Sequence, residues 1–411
     1  MSESIPLRSG VFLAPYHADD ESPTLQLRRD LDLARHLDAL GYDELWVGEH
    51  HSASFETIAS PELFIAAAAE RTRRIRLGTG VVSLPYHHPL MVAERITQLD
   101  HQTGGRVMLG VGPGQLPSDA HMMGIDVARQ RGMMNESLEV LIPLLRGETV
   151  THSTDWFTLR DARVQLAGRM PTPVEMAVAA AVSPSGPSAA GRHGIGMLSM
   201  AATSGAGFDL LPAHWALCED EARRNAHTVD RRSWRLVVPM HLAESREQAH
   251  ADMRHGLLAL VRYFERLGGE EMKAIRTVEQ AIEQWTRHGL SLLGRAVIGT
   301  PDDAVDAIRA LVDRSGGFGT ILLLAHDCAA PDRSLASYDL FARYVLPALR
   351  DVNRGRRESL DWFAANSGRI VGDLRRAIGS VVETHEAERR ARGEGVAWGD
   401  ARDLLVGDDD A

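Results

Sequence analysis

The sequence predicts an α/β protein, a (β/α)8 TIM barrel with insertions and a C-terminal helical extension. Short runs rich in β-branched and apolar residues alternate with helical patterns, which is typical of a parallel barrel. Several of these runs end in Gly, His or Pro, and the strand ends that carry chemistry in such a barrel share one rim. An open doubly wound sheet is the alternative, but no G-x-G-x-x-G follows the first strand, which leads into Ala14-Pro15-Tyr16.

The barrel prediction depends on eight β-rich runs. These are Val11–Ala14, Glu44–Val47, Ile75–Val82, Arg106–Gly112, Val174–Ala180, Met197–Met200, Arg235–Leu242 and Thr320–Leu324. Helical patterns lie between them, for example Leu25–Leu40, Pro61–Thr72, Met91–His101 and Met134–Leu145.

Three segments depart from a plain barrel. Thr149–Leu166 alternates at period two, which predicts an added hairpin. Gly268–Leu290 has a helical pattern outside the minimal repeat and is either a lid over the barrel mouth or a surface helix. We expect the barrel domain over residues 1–350 and a helical, partly disordered tail over 351–411, with a helix through Arg369–Arg392. The apolar face of that tail packs either on the barrel or on a second subunit.

Composition narrows the class of protein. The chain of 411 residues carries 45 Lys and Arg against 56 Asp and Glu, a formal net charge of −11, whereas a nucleic-acid surface needs clustered cations. Cys218 and Cys328 are the only cysteines and offer neither a disulfide framework nor metal-ligand spacing. No signal-like segment opens the chain and no apolar run approaches about 18 residues. We therefore expect a cytoplasmic protein without nucleic-acid or membrane partners.

His50 is the catalytic candidate. In the run WVGEHH, Trp46, Gly48 and His50 alternate onto one side of the strand, while Glu49 and His51 point to the other. One histidine at the barrel mouth can donate or accept a proton near neutral pH. A zinc site is disfavoured, because adjacent strand residues diverge and no H-E-x-x-H helix is present.

Three small-residue segments fall at predicted strand ends. Gly78–Val82 forms either a bulge beneath a flat ligand or a tightly packed part of the barrel. Gly110–Gly114 places few side chains at this part of the rim, which suits the binding of a planar ring system. Ser183–Ser188 places hydroxyls and free N–H groups at a helix start, which suits an anion site, although the segment alone is more typical of an ordinary Ser N-cap.

A resemblance to a known family is carried by three segments in order: DELWVGEHH, RIRLGTGVVSLPYHHPLMVAERITQLDHQTGGRVMLGVGPG and the late IGTPDDAVDAI. Together they closely resemble the bacterial-luciferase-like flavin-dependent monooxygenases, and most of all the limonene-monooxygenase-like members. The resemblance covers residues 8–350, nearly the whole predicted barrel. It implies a barrel that binds reduced flavin at its C-terminal rim and uses molecular oxygen to transfer one oxygen atom to an organic substrate.

The resemblance also implies site residues. The catalytic histidine of the family matches His50, and a non-prolyl cis peptide beneath the flavin ring matches Gly80-Val81. The phosphate-holding loop matches Ser183, Ser185 and Gly186. Gly112 and Pro113 complete the cofactor-binding set, although luciferase itself has a reactive Cys and an Arg there. Because that Arg is one phosphate contact, both FMN and FAD stay open as the cofactor.

The expected partners follow from the family. They are a small or medium apolar substrate of terpenoid or natural-product type, molecular oxygen, a separate NAD(P)H:flavin reductase and a second copy of the chain in a homodimer. Two alternatives stay open: hydride transfer with a deazaflavin on the same fold, and a non-catalytic flavin-binding protein. Oxygen consumption separates the first alternative from a monooxygenase, and a kinetic effect of changing His50 separates the second.

Overall fold

Eight parallel strands close into a barrel in the computed structural model, which describes residues 6–14, 16–169 and 173–398. Each strand pairs with the next in chain order, and the last pairs with the first. This arrangement confirms the predicted fold class. The strands are β1 Arg8–Leu13, β2 Glu44–Val47, β3 Arg76–Thr79, β4 Val107–Gly112, β5 Glu175–Ala180, β6 Gly196–Ser199, β7 Trp234–Leu242 and β8 Thr320–Leu324.

Helices connect the strands and cover the outside of the barrel. Several begin with Pro at the first helical position, where the missing N–H has no partner to lose. In chain order they are α1 Pro23–Leu40, α2 Pro61–Ala69, α3 Pro89–Gln102, α4 Pro117–Met122, α5 Gln130–Leu145, α6 Ser185–His193, α7 Gly205–Arg224, α8 Arg246–Asp252, α9 Leu257–Arg266, α10 Val278–Arg287, α11 Pro301–Ser315, α12 Pro331–Leu340 and α13 Leu346–Arg350. Among the described residues, no helix is both long and apolar enough to cross a membrane.

Trp46 fills the middle of the barrel. Strand register places Phe12, Trp46, Gly78 and Met108 side by side in one interior layer. The indole is fully buried, and the guanidinium of Arg235 lies 4.8 Å from its ring centre. A Cβ atom at Gly78 would come within 2.7 Å of the indole. Packing therefore explains the glycine at position 78.

A buried ion cluster lies below the Trp46 layer. Arg235 donates from Nε to Glu44 Oε2 at 2.7 Å and from Nη2 to Glu175 Oε1 at 2.5 Å. Burial alone would raise the pKa of Glu175, but the guanidinium groups of Arg235 and Arg76 lower it to about 2. The carboxylates therefore stay ionised at neutral pH, and their charge is compensated inside the barrel.

The third strand is shorter than predicted. The sequence predicted a continuous strand over Ile75–Val82, but β3 ends at Thr79 and the peptide bond between Gly80 and Val81 is cis. A short separate strand, Val82–Ser83, then pairs with the end of β4. The chain direction changes at Gly80, and a Cβ atom there would approach Phe12 to 2.8 Å.

Two additions to the barrel lie where the sequence placed them. Val150–Ser153 and Thr158–Ala162 pair as an antiparallel hairpin within the predicted segment Thr149–Leu166. Between β7 and β8, residues 244–296 hold three helices, α8 to α10, instead of the single helical pattern read at Gly268–Leu290. We call residues 244–296 the β7–β8 insertion.

The chain divides into two units after Arg350. In the second unit, α14 spans Arg354–Ala391 and so begins fifteen residues before the helix predicted over Arg369–Arg392 (354 against 369). Its apolar residues Trp362, Leu374 and Val381 are exposed. Residues 399–411 of the tail that was predicted to be partly disordered lie outside the described residues.

Packing against Trp46 gives the first testable prediction. Replacing Gly78 by Ala should lower the free energy of unfolding by about 1–3 kcal/mol, because the rigid indole cannot move away from the new methyl group. Gly132→Ala is the matched control: nothing lies within 4 Å of a Cβ there, and Ala should stabilise helix α5 by about 0.5–1 kcal/mol. Urea or thermal unfolding measures both. Equal stability of Gly78→Ala and the parent protein would contradict this packing.

Candidate active site

A cavity of about 470 Å³ opens at the C-terminal rim of the barrel. Its volume lies in the range of pockets that bind cofactors and organic ligands. Most of the predicted site residues line it, namely His50, Gly80, Val81, Pro113, Ser183, Ser185 and Gly186. Gly112 is not among the lining residues. It lies against Val81, whose Cγ2 would be 2.7 Å from a Cβ at Gly112.

His50 lies between two carboxylates. It follows the end of β2, and its Nε2 lies 3.0 Å from Glu56 Oε2, while its Nδ1 lies 3.2 Å from Asp119 Oδ2. Asp119 belongs to the first turn of α4, which directs its side chain back toward the rim. Glu56 lines the cavity, whereas the Asp119 side chain is only 1% exposed. Both ring nitrogens of His50 are therefore held in fixed directions.

These contacts keep His50 positively charged. Burial alone would lower its pKa, but the charges of Glu56 and Asp119 and their hydrogen bonds raise the pKa from 6.5 to about 10. The proton thus stabilises the fold fully below about pH 6.5, and that stabilisation is lost as the pH rises through about 10. Chemically, the site offers an imidazolium at the cavity wall that can supply a proton.

The neighbours of His50 point elsewhere, as the strand alternation predicts. Glu49 accepts hydrogen bonds from the backbone N–H of Ser83 and from the rings of His51 and His87, at 2.6 Å, 2.9 Å and 2.6 Å. Glu49, which also lines the cavity, therefore binds His51 and His87 and not His50. In the described ranges of the chain, no group of three or more His, Cys, Asp or Glu side chains is placed to hold a metal ion.

One end of the cavity is suited to an anion. The hydroxyls of Ser183 and Ser185 lie 2.9 Å apart at the start of α6, and neither side chain caps that helix. A Cβ atom at Gly186 would lie 2.6 Å from the Ala179 carbonyl oxygen, so glycine lets the helix start close to β5. Arg131 of α5 lines the same cavity and has no ion-pair partner among the described residues. Hydroxyls, a helix N-terminus and a free guanidinium together favour a phosphate or carboxylate.

The other end of the cavity is apolar. Phe12, Val237 and Leu324 contribute from the barrel interior, and the β7–β8 insertion contributes aromatic and aliphatic side chains. The large apolar side chains of the insertion that line the cavity are Tyr263, Phe264, Leu267 and Leu293. Gly80 and Val81 also line the cavity, and we call this segment its floor. The cavity thus combines an anion site, a flat backbone floor and an apolar chamber.

A second cavity of about 430 Å³ lies beside the first and shares Tyr16 with it. Its most buried charged groups already form hydrogen bonds with one another. His17 bonds to Asp30 at 2.9 Å and to Asp327 at 2.6 Å. Arg29 also bonds to Asp327. Burial favours neutral His17, yet these carboxylates raise its pKa to about 9. None of the predicted site residues lines this second cavity, so the chemistry is assigned to the first.

Several residues of the site, Tyr263 among them, could not be identified from the sequence alone. Asp119 lies on a short helix that was not predicted, although Pro117 followed by Ser and Asp is a helix-start signal. Glu56 and Arg131 carry no such signal. They reach the cavity through a loop turn and a helix start whose positions depend on tertiary packing.

Comparisons with known proteins add to this geometry. The family described as luciferase-like monooxygenase matches residues 7–317 of the chain. The chain is 46% identical over 388 residues to limonene 1,2-monooxygenase of Rhodococcus erythropolis, a match that covers 93% of this chain and 97% of that protein. It is also 46% identical over 361 residues to 4-hydroxyprotoasukamycin monooxygenase of Streptomyces nodosus subsp. asukaensis, covering 86% and 95%.

A solved structure has the same fold. It is the oxygenating constituent of 3,6-diketocamphane monooxygenase from Pseudomonas putida, a type II Baeyer-Villiger monooxygenase in complex with FMN. The likeness has a TM-score of 0.68 at 24% identity and covers 84% of this chain and 99% of that one.

The carboxylate pair around His50 generates a prediction about its charge. Asp119→Asn should lower the pKa of His50 by about 1 or more, because one of two opposite charges in contact with the ring is removed. Histidine-selective NMR across a pH series measures this, with His50→Ala to assign the signal. Asp155→Asn, which removes only the exposed partner of Arg129, is the control. An unchanged pKa of His50 in Asp119→Asn would rule out this electrostatic assignment.

Proposed function

Because this chain belongs to the luciferase-like monooxygenase family, we propose that it uses reduced FMN and molecular oxygen to insert one oxygen atom into a small or medium apolar substrate. The chain is an oxidoreductase, since it is closely related over most of its length to named monooxygenases. The names of those relatives support a terpenoid or natural-product-like substrate. The structural neighbour is called an oxygenating constituent, which supports a separate flavin reductase here.

The anion end of the cavity fits the phosphate of FMN. Arg131 would form the ion pair, while Ser183, Ser185 and the first N–H groups of α6 would donate hydrogen bonds. Arg131 offers a guanidinium to the cavity that is also lined by Pro113, the position where luciferase itself has an Arg. This favours FMN over FAD as the cofactor.

The floor formed by Gly80 and Val81 fits the flavin ring system, and the apolar chamber fits the substrate. Gly80 and Val81 would carry the flat ring system, and the apolar side chains of the β7–β8 insertion would hold the substrate above it. When bound, reduced FMN supplies the electrons that activate molecular oxygen. Phe264 and Leu267 would exclude water from the chamber, which limits loss of reducing equivalents to solvent.

His50 would provide the proton that oxygen transfer requires. Its charge is maintained by Glu56 and Asp119, so a proton is available at neutral and mildly alkaline pH. The Nε2 atom of His50 contacts Glu56, which lines the cavity, whereas the Nδ1 atom contacts the buried Asp119. The observation that carries the proposal is this imidazolium on a cavity wall that also has an anion site and an apolar chamber.

Oxygen dependence is the decisive test. The full chain is titrated anaerobically with reduced FMN and then mixed with oxygenated buffer, with limonene as the first probe substrate. Label from isotopic molecular oxygen in the product supports the proposal. Reduction of a carbonyl substrate with reduced deazaflavin and no oxygen uptake would instead indicate hydride transfer, the alternative chemistry on this fold.

The phosphate assignment predicts a selective loss of affinity. Arg131→Gln should weaken binding of reduced FMN about 10- to 100-fold, since a charge-assisted hydrogen bond contributes about 1.5–3 kcal/mol. Binding of reduced riboflavin, which lacks the phosphate, should not change. Arg129→Gln is the matched control, because Arg129 pairs with the exposed Asp155. A similar loss for both flavins would remove Arg131 from the phosphate site.

The role of His50 predicts a loss of turnover without a loss of binding. His50→Ala should retain the fold and flavin affinity but slow substrate oxygenation about 100- to 10,000-fold, the usual contribution of a positioned acid or base. Product formation per oxygen consumed measures this effect, with the exposed His250→Ala as the control. Unchanged coupled turnover would mean that His50 is not catalytic.

A further inference from the structure

Glu56 is the buried carboxylate that links the barrel rim to the β7–β8 insertion. Its side chain is 7% exposed, and its two oxygens have different partners. Oε2 lies 3.0 Å from Nε2 of His50, whereas Oε1 accepts a 3.4 Å hydrogen bond from the hydroxyl of Tyr263 on α9. One carboxylate therefore touches both the proposed acid and the insertion.

The loop before Glu56 is shaped to make both contacts. Ala53 and Ser54 have φ angles of 68° and 75°, so two consecutive non-glycine residues adopt the left-handed conformation. This turn brings Phe55 and Glu56 back toward the cavity. The backbone of Phe55 is fixed there by a 2.9 Å hydrogen bond from the N–H of His17 to its carbonyl oxygen. Left-handed residues of this kind persist only where the surroundings hold them.

Tyr263 is anchored on the insertion side. Its ring stacks on Phe55 with centroids 4.4 Å apart and an interplanar angle of 19°. It belongs to a hydrophobic cluster built mainly from the insertion, which includes Leu260 and Trp285. The next residue, Phe264, lines the apolar chamber. The position of α9 therefore sets both the chamber wall and the hydroxyl that Glu56 accepts.

We propose that Glu56 and Tyr263 are positioning residues for His50, through which the β7–β8 insertion controls the charge and direction of the imidazole. With Tyr263 in place, Oε1 is held and Oε2 faces His50 Nε2. When α9 moves away, the carboxylate is free to rotate toward solvent and the His50 proton loses its partner. The acid is thus fully formed only with the chamber wall in place. This inference deepens the proposed function and rests on it for the reaction itself.

Other ionisable groups lie around His50, Glu56 and Tyr263, and they come from several elements. Asp119 contacts His50 directly, the charge of His50 acts on the neighbouring His51, and the remaining ones lie beside one of the two carboxylates. They are Tyr16 and Tyr263 beside Glu56, and Tyr86 beside Asp119. Asp119 alone would still hold part of the His50 charge, so removing Glu56 should lower the pKa rather than return it to the value in water.

Two variants of the full chain test the proposal without any ligand. In Glu56→Gln, histidine-selective NMR should show the pKa of His50 lowered by about 1 to 3, the effect of one opposite charge in contact. In Tyr263→Phe the change should be in the same direction but smaller, because the ring still stacks on Phe55 and only the hydroxyl is lost. Glu283→Gln and Tyr344→Phe change exposed residues of the same types and are the controls.

A second readout follows the reaction. The alkaline limb of the oxygenation rate should move to lower pH in Glu56→Gln and, less, in Tyr263→Phe, with affinity for reduced FMN retained. An unchanged pKa of His50 in Glu56→Gln overturns the proposal, and an unchanged value in Tyr263→Phe overturns the link to the insertion. Because the NMR titration needs neither flavin nor turnover, its result stands even if the protein proves not to be an oxygenase.

Discussion

The position of the Trp46 indole is the constraint on which the barrel interior depends. Below it, the indole N–H donates to Glu44 at 2.8 Å and the ring contacts Arg235, which balances the buried charge of Glu44 and Glu175. Above it, a Cβ atom at position 80 would lie 2.8 Å from the Phe12 ring and 3.1 Å from Trp46 Cβ, so both side chains favour glycine there. The floor of the cavity is therefore built on a packed and charge-balanced layer. A site on such a base needs little rearrangement to bind a rigid ligand.

Above this floor, two positively charged side chains line the cavity in different surroundings. Arg131 and the serine hydroxyls of α6 line the same cavity, whereas His50 carries its charge close to two carboxylates. The first arrangement leaves a cation free to pair with an incoming anion. The second uses protein carboxylates to keep a proton in place. One cavity can therefore hold an anionic group firmly without neutralising the group that supplies protons.

The sequence analysis named several residues at strand ends that line the cavity. His50, Gly80, Val81 and the Ser183 loop follow barrel strands. Strand alternation indicated His50, whereas the roles predicted for the others came from the family resemblance. Glu56, Asp119, Arg131 and Tyr263 were missed, since each reaches the cavity from a loop turn or helix placed by contacts distant in sequence. The third strand was predicted to be longer than it is, for a similar reason. Val81 and Val82 have strand propensity, but the turn at Gly80 is set by tertiary packing.

The β7–β8 insertion has a hydrophobic cluster largely of its own, centred on residues such as Leu260, Ile282 and Trp285. It supplies much of the apolar chamber, whereas the groups assigned to the cofactor come from the barrel loops. Selection can therefore act on the two halves of the cavity separately. Sequence change within this segment that keeps Tyr263 can alter which molecules are accepted while the groups of the barrel loops stay the same, which gives a single scaffold a route to diverse substrates.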